Sequence, residues 1–284
     1  MELNPSVEAS NKLRNLLTRF CFQDSRFTDP QVLVAKSFIL KELLSYGYSS
    51  VETQAVEGTW GTRYNLIARN FTNLLKARVV IGAHYDTVHG TVGADDNGSG
   101  VVMALYLAEV LKSSEVPVEV VFFVNEEPPY FGTNRMGSKV YFDSIQEDLH
   151  KYTQFINLDC VGMFTEGGDV DEVTAYTESK RYVQKEVPSS AMGLLISEAD
   201  TASTIFFGSW NSDLELIIIP GSDLNFLSDL RWFVGEIPAA HLVDMAMTRN
   251  SYMHTPEDTP EKLDYIRMGK AAVGVAAVIR KGWK

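Results

Sequence analysis

Apolar positions recur along this chain with two periods. Residues 5–22 and 31–46 repeat every three to four positions, with Leu13, Leu16, Leu17 and Phe20 on one face of the first, and predict helices. Asp29-Pro30 suits the start of the second, with Asp as N-cap and Pro at the first helical position. Val51–Val56 and Tyr64–Ala68 read as strands joined by a glycine-containing turn at 58–61. Ala77–Ala83 is a continuous apolar run rich in β-branched residues, the pattern of a central strand covered on both faces. Ser99–Lys112 reads as an amphipathic helix. Val116–Asn125 and Phe155–Asp159 read as further buried strands, Pro238–Val243 as a late strand, and Glu261–Lys284 as a long C-terminal helix. Strands separated by helix-sized segments predict an α/β fold with a largely parallel or mixed sheet. Residues 163–220 are turn-rich around Gly167-Gly168 and carry no firm period. With no repeat, low-complexity tract or linker, one domain over residues 1–284 is expected.

Composition narrows the class. The chain has 284 residues, 45% hydrophobic and 22% charged, which is enough for a full core. A net charge of -12 argues against nucleic acid as a partner, because phosphate binding needs a basic surface; it fits an ordinary soluble acidic protein, with attraction of cationic substrates the lesser reading. Cys21 and Cys160 make no disulfide framework, and Cys160, in an apolar run, is expected to be a buried free thiol. The first residues lack the basic-then-apolar pattern of a signal peptide, and no stretch approaches the ~18 apolar residues of a membrane span. The expected compartment is the cytoplasm, with no membrane partner. Oligomeric state is not legible.

Five short segments carry the candidate chemistry. His84 and Asp86, in Gly82-Ala-His84-Tyr-Asp86, are two apart at a strand end and share a face. His84 can ligate a metal, and Asp86 can steady the imidazole from behind. By themselves they also fit a surface histidine. Asp95-Asp96-Asn-Gly-Ser-Gly100 joins a strand to a helix; an Asp here can bridge two metals while the glycines let the backbone approach an ion, or it can simply cap the helix. Glu126-Glu127 ends a strand, and adjacent residues diverge there, so one can bind metal while the other serves as general base. Asp159 closes an apolar run, where an unpaired carboxylate is costly. His254, in Tyr252-Met-His254-Thr-Pro-Glu-Asp258, sits on a loop, with Asp258 placed to orient it. His89, His150 and His241 lack comparable partners and read as structural or surface residues.

In this order the segments resemble the M28 family of zinc aminopeptidases, whose motifs run His-x-Asp, Gly-x-Asp-Asp-Asn-x-Ser-Gly, Glu-Glu, Asn/Gln-Leu-Asp and His-Thr-x-x-Asp-Thr. The match covers residues 64–260. The resemblance implies a three-layer α/β/α sandwich with a central mixed, mostly parallel sheet. It implies two zinc ions, with cobalt or manganese also suited to the donors. Asp96 would bridge them, His84 and Asp159 would complete one site, and Glu127 and His254 the other. Glu126 would be the general base and Asp86 the carboxylate behind His84. Three carboxylates and two neutral imidazoles around two divalent ions leave a +1 centre, able to acidify a bridging water. The implied activity is release of N-terminal amino acids from peptides with a free N-terminus.

Two departures from the family pattern stand out. Ser222-Asp223-Leu224 occupies the late loop where Ser-Asp-His is frequent, and Met253 stands where a Tyr precedes the last His; Tyr252, one position earlier, is the candidate for oxyanion or substrate contact. Leu224, Phe226, Phe233, Trp232 and Phe131 are candidates for an apolar substrate pocket, although aromatic residues more often belong to the core. Two other classes compete with the peptidase: a glutaminyl cyclase-like acyltransferase with one zinc, and a non-catalytic relative used for binding. The latter usually lacks a ligand or the base, and none is missing here.

Overall fold

A computed structural model describes residues 4–22, 25–59, 61–164, 169–170, 173–176, 181–184, 187–188, 191–197, 199–221, 228–244 and 250–282. Helix α1 is Pro5–Phe20, with Asn4 as its cap. Helix α2 is Asp29–Ser45. Its cap is Thr28 rather than the expected Asp29, because Gln31 Oε1 accepts from both the backbone N–H and the hydroxyl of Thr28. Asp29 is thereby free to pair with Arg63, at 2.7 Å.

The two expected N-terminal strands are β1 (Glu52–Glu57) and β2 (Thr62–Arg69), an antiparallel hairpin. The apolar run becomes β3 (Arg78–His84), with every residue buried. Helix α3 (Gly100–Leu111) leads to β4 (Val118–Phe123), and α4 (Gly137–Ser144) to β5 (Tyr152–Leu158). In the turn-rich region β6 (Asp169–Val170) pairs with β9 (Val187–Pro188), and β7 (Val173–Tyr176) with β8 (Arg181–Gln184). Then come β10 (Met192–Ser197), α5 (Thr201–Phe207), β11 (Leu216–Gly221), β12 (Ala239–Val243) and α6 (Tyr265–Gly282). No helix among the described residues is long and apolar enough to cross a membrane.

Eight strands form one mixed sheet in the order β1-β2-β4-β3-β5-β12-β10-β11. The central strands β4, β3, β5 and β12 are parallel, and the joins β1–β2, β2–β4 and β12–β10 are antiparallel. Helices α1, α2, α3, α5 and α6 cover one face, while α4 and the turn at Asp229–Trp232 cover the other. This is the expected three-layer α/β/α sandwich. α3 is not amphipathic as its sequence suggested: only Glu109 and Val110 escape burial, because the helix lies between the sheet and the layer of α1, α2 and α6. Such a helix is apolar all round.

Parallel packing sends the C-terminal ends of β3, β4 and β5 to one edge, the edge where α/β sheets place their sites. Two residues before His84, Gly82 lets the rings on the α4 side close over β3. A Cβ at Gly82 would stand 2.6 Å from Phe123 and 2.8 Å from Phe155. Phe155 is in turn stacked on Phe233 at 4.0 Å. Gly82→Ala is therefore predicted to overpack the core and cost about 1–3 kcal/mol, read as a lower denaturant midpoint. An unchanged midpoint would show that the rings yield freely.

Candidate metal centre

Three strand ends and two loops bring the five expected ligands together. His84 ends β3, Asp96 lies in the kinked turn Ala94–Ser99, Glu127 follows β4, Asp159 follows β5, and His254 comes from the turn before α6. His84 Nε2 stands 3.4 Å from Asp96 Oδ1 and 3.5 Å from Asp159 Oδ1. His254 Nε2 stands 2.9 Å from Asp96 Oδ2 and 3.3 Å from Glu127 Oε1. Asp96 thus gives one oxygen to each of two triads, His84–Asp96–Asp159 and Asp96–Glu127–His254, whose donor atoms lie within 4.8 Å of one another. Donors on a tetrahedral zinc at about 2.0–2.2 Å are about 3.3–3.6 Å apart, which is close to these spacings. Asp159 Oδ1 and Glu127 Oε1 are buried with no hydrogen-bond partner, as oxygens reserved for a cation would be. The donor set therefore fits zinc in both triads. The centre opens at His254, whose side chain is 46% exposed, whereas His84 is sealed.

The backbone bends sharply to achieve this. Four non-glycine residues among those described have positive φ: Asn125 (62°), Cys160 (52°), Ser228 (39°) and His254 (61°). One is a ligand, two adjoin Glu126 and Asp159, and the fourth precedes the buried Asp229. Such conformations persist only where surrounding contacts impose them. Asn125 is held by Arg63 and by the carbonyls of Glu57 and Arg135.

Two remote carboxylates fix the acidic pairs. Asp86 accepts the backbone N–H groups of Glu126 and Glu127, each at 3.1 Å. It does stand behind His84, but its 3.8 Å from Nδ1 is beyond hydrogen-bond reach. Asp258 accepts the N–H groups of Asp95 and Asp96, at 2.9 and 3.1 Å. Its hydrogen bonds thus go to the Asp96 segment and not to His254, which corrects the role expected for it. The glycines of the Asp96 segment also act differently from expectation. They admit protein backbone, since a Cβ at Gly98 would meet Gly93 O at 2.8 Å and one at Gly100 would meet Leu158 O at 2.4 Å. Asn97 and Ser99 tie this segment to β5 and the residues after it, Asn97 donating to Leu158 O and Ser99 accepting from Val161 N–H.

Electrostatics follow from burial and proximity. Burial opposes a charge on His84, but Glu126 and Asp159 overcome it and raise its pKa well above 6.5. Asp96, 2.9 Å away, and then the nearby Glu127 carboxylate raise His254 to about 10. Burial would raise Asp96, yet His254 and His84 hold it well below the usual carboxylate range. Burial, then Asp96, pushes Glu127 up to about 7. Burial raises Glu126 well above 4.5, with Glu127 and Asp229 adding to it against the charge of His84. Without a metal the surrounding acids thus favour the protonated form of both imidazoles, and a metal entering the site competes with those protons.

Sequence reasoning missed three residues. Arg26, fully buried, donates to the carbonyls of Tyr85, Val92 and Gly93 and so fixes the loop between His84 and Asp96. Arg63 braces Asn125. Asp229, fully buried, is pushed by burial up to about 7, within reach of the charges of His84 and Asp159. It belongs to a second Ser-Asp-Leu, Ser228-Asp229-Leu230; the Ser222-Asp223-Leu224 singled out above lies outside the described residues. Only burial marks these three out, and no local pattern announces it. His241 is buried against Asn157 at 2.8 Å and is structural, as expected. The ring of Tyr252 lies under the Lys262 ammonium, 4.3 Å from its centroid. Phe233 belongs to the core, Trp232 is partly buried and Phe131 is exposed; Leu224 and Phe226 lie outside the described residues. Cys21 and Cys160 are free, and Cys160 is buried.

The sequence profile of peptidase family M28 matches residues 65–279. Among curated proteins, uncharacterized protein YfbL of Escherichia coli is 28% identical over 84% of this chain and 77% of its own length. Aminopeptidase YwaD of Bacillus subtilis is 28% identical over 72% of this chain, which spans 41% of that longer protein. Among solved structures, the Legionella pneumophila LapA aminopeptidase superposes with a TM-score of 0.72 at 20% identity, over 98% of this chain and 73% of LapA. The Bacteroides thetaiotaomicron glutaminyl cyclase superposes with a TM-score of 0.68 at 14% identity, over 96% and 97%. Both superpositions speak to fold.

Asp258→Ala removes the acceptor for two buried N–H groups behind Asp96 and is predicted to weaken zinc binding by about 10–100-fold. Competition against a chelator of known affinity measures this. Unchanged affinity would mean that the segment holds itself.

Proposed function

The chain belongs to peptidase family M28, and from that premise we propose that it is a metallo-aminopeptidase that removes N-terminal amino acids from peptides with a free N-terminus, in one domain spanning residues 1–284. The observation that carries this reading is the split carboxylate of Asp96, with one oxygen toward each histidine. His84, Asp96 and Asp159 would hold one zinc, and Asp96, Glu127 and His254 the other. Zinc there supplies a Lewis acid for the scissile carbonyl, a water of lowered pKa and a ligand position for the free α-amine.

Glu126 is the proposed base. It is the member of the acidic pair that neither triad contains, yet its Oε2 lies 3.9 Å from His84 Nε2, at the centre of the site. Its carboxylate takes a proton from the attacking water and returns it to the leaving amide nitrogen as the C–N bond breaks. Asp86 serves this step indirectly: with both N–H groups of the pair fixed, Glu126 and Glu127 diverge by strand-end geometry. The raised pKa of Glu126 suits a group that must hold a proton between the two halves of the reaction. Tyr252 is kept as a candidate for substrate contact.

A glutaminyl cyclase-like acyl transfer is the second reading, and the likeness to the Bacteroides cyclase supports it at the level of fold. Products separate the two. Zinc-loaded protein is predicted to release Leu from a free-amine Leu peptide and leave the N-acetylated twin intact, both followed by mass spectrometry. Pyroglutamate formed from an N-terminal Gln peptide, without Leu release, would favour the cyclase. Glu126→Gln is predicted to lower kcat by about 10²–10⁴-fold with zinc content unchanged; near-normal turnover would remove Glu126 from the role.

A further inference from the structure

Arg231, on the turn that carries Asp229, has no carboxylate beside it among the described residues. It lies two residues beyond Asp229, and this turn packs against β3, β5 and β12. Its guanidinium sits 4.8 Å from the ring centroid of Phe131 and 5.1 Å from that of Trp232. Among the described residues it meets no carboxylate within ion-pair distance and its guanidinium donates no hydrogen bond, unlike Arg19, Arg63, Arg69, Arg78 and Arg267, each of which has an acid beside it. Lys139 Nζ stands 5.4 Å over the same Trp232 ring but is paired with Asp143, so Arg231 is the cation that lacks an acid there among the described residues. A guanidinium packed beside aromatic rings keeps its N–H groups for other partners, and its planar fork matches a carboxylate through two parallel hydrogen bonds.

The mount is rigid. Phe131 lies four residues after Glu127, in a loop that turns at once, Tyr130 N–H donating to Glu127 O at 3.0 Å. The Tyr130 hydroxyl accepts from Thr59 N–H at 2.7 Å, and Arg135 donates to Gly58 O at 2.6 Å. Gly132, at φ +71°, lets Arg231 approach: its Nη1 lies 2.9 Å from where a Cβ would be. Four residues reach at most ~14 Å even when extended, so this rim is within a few peptide units of Glu127. Around it the field is acidic, with Asp86, Asp96, Glu126, Glu127, Asp159 and Asp229 buried together and a net charge of -12 on the chain. A cation with no carboxylate beside it among the described residues favours substrates carrying the opposite charge.

We infer that Arg231, braced between Phe131 and Trp232, binds a substrate carboxylate and makes the enzyme prefer short peptides that present one a residue or two beyond the scissile bond. This rests on the aminopeptidase reading. The carboxylate can be an acidic side chain or the C-terminus of a short peptide, and the test separates them. Zinc-loaded protein is assayed with Leu-Gly-Gly, Leu-Gly-Gly-amide and Leu-Asp-Gly-amide. At least one peptide bearing a carboxylate is predicted to have a KM about tenfold below that of the neutral amide. Preference for Leu-Gly-Gly identifies the terminal carboxylate, and preference for Leu-Asp-Gly-amide the side chain. Arg231→Gln is predicted to bring the ratio to about one, and Arg231→Lys, which keeps the charge but not the fork, to restore part of it. Equal KM values in the wild type, or a preference that survives Arg231→Gln, would overturn the assignment. Calorimetric binding of the same peptides to zinc-loaded Glu126→Gln protein gives a readout independent of turnover. An Arg231-dependent preference in binding with no cleavage by the wild type would retain the subsite and reject the peptidase reading. No preference in binding would reject the subsite.

Discussion

A carboxylate that serves two triads must be held by something other than those triads, and here that is a pair of backbone N–H groups. Asp96 can face His84 and His254 at once only if its own backbone stays still. Asp258 does this from the far end of the chain by accepting the N–H groups of Asp95 and Asp96. Asp86 repeats the device for Glu126 and Glu127. Each remote acid spends two charge-assisted hydrogen bonds on the backbone beneath an acidic pair. The side chains above are then aimed by strand and turn geometry. The positive-φ bends at Asn125, Cys160 and His254 are the local cost of that aim.

The same architecture concentrates negative charge where water is excluded. Asp86, Asp95, Asp96, Glu126, Glu127, Asp159, Asp229 and Asp258 are all buried around two imidazoles. Burial, with neighbouring carboxylates adding to it, drives several of these acids toward the neutral form, as at Asp95, Glu127 and Asp229, each pushed up to about 7. Protonated His84 and His254 offset part of the charge. Two divalent ions would offset it far more completely, so the energetics of the fold and the binding of metal are one problem. At the turn beyond Asp229 the balance differs: Arg231 lies against Phe131 and Trp232 with no carboxylate beside it among the described residues.

Much of this was readable before the structure, for particular reasons. Ala77–Ala83 announced a central strand because only a strand covered on both faces tolerates so unbroken an apolar run, and β3 is buried throughout. Asp159 stood out because a carboxylate closing such a run needs a partner, and it faces His84 at 3.5 Å. Asp96 was chosen over Asp95 by resemblance, and the geometry agrees: Asp95 turns away to Asn250 and Gly162. What escaped were roles set by contacts distant in sequence. Asp258 lies four residues from His254 but bonds to residues more than 160 positions away, so proximity in the chain misassigned it. Arg26 gave no local signal at all, since a lone arginine between helices is ordinary until it proves fully buried. The amphipathic reading of α3 failed although its sequence carried the signal: Gly100–Leu111 is apolar on every side but for Glu109, the pattern of a helix covered on its outer side as well.

The central claim is that Asp96 joins two metal sites. Anomalous diffraction on zinc-loaded crystals, collected on both sides of the zinc absorption edge, tests it most directly. Two peaks are predicted about 3.5–4 Å apart, one beside His84 and Asp159, the other beside Glu127 and His254, with a separate Asp96 oxygen on each. A single peak at full zinc loading, or two peaks without Asp96 between them, would contradict it.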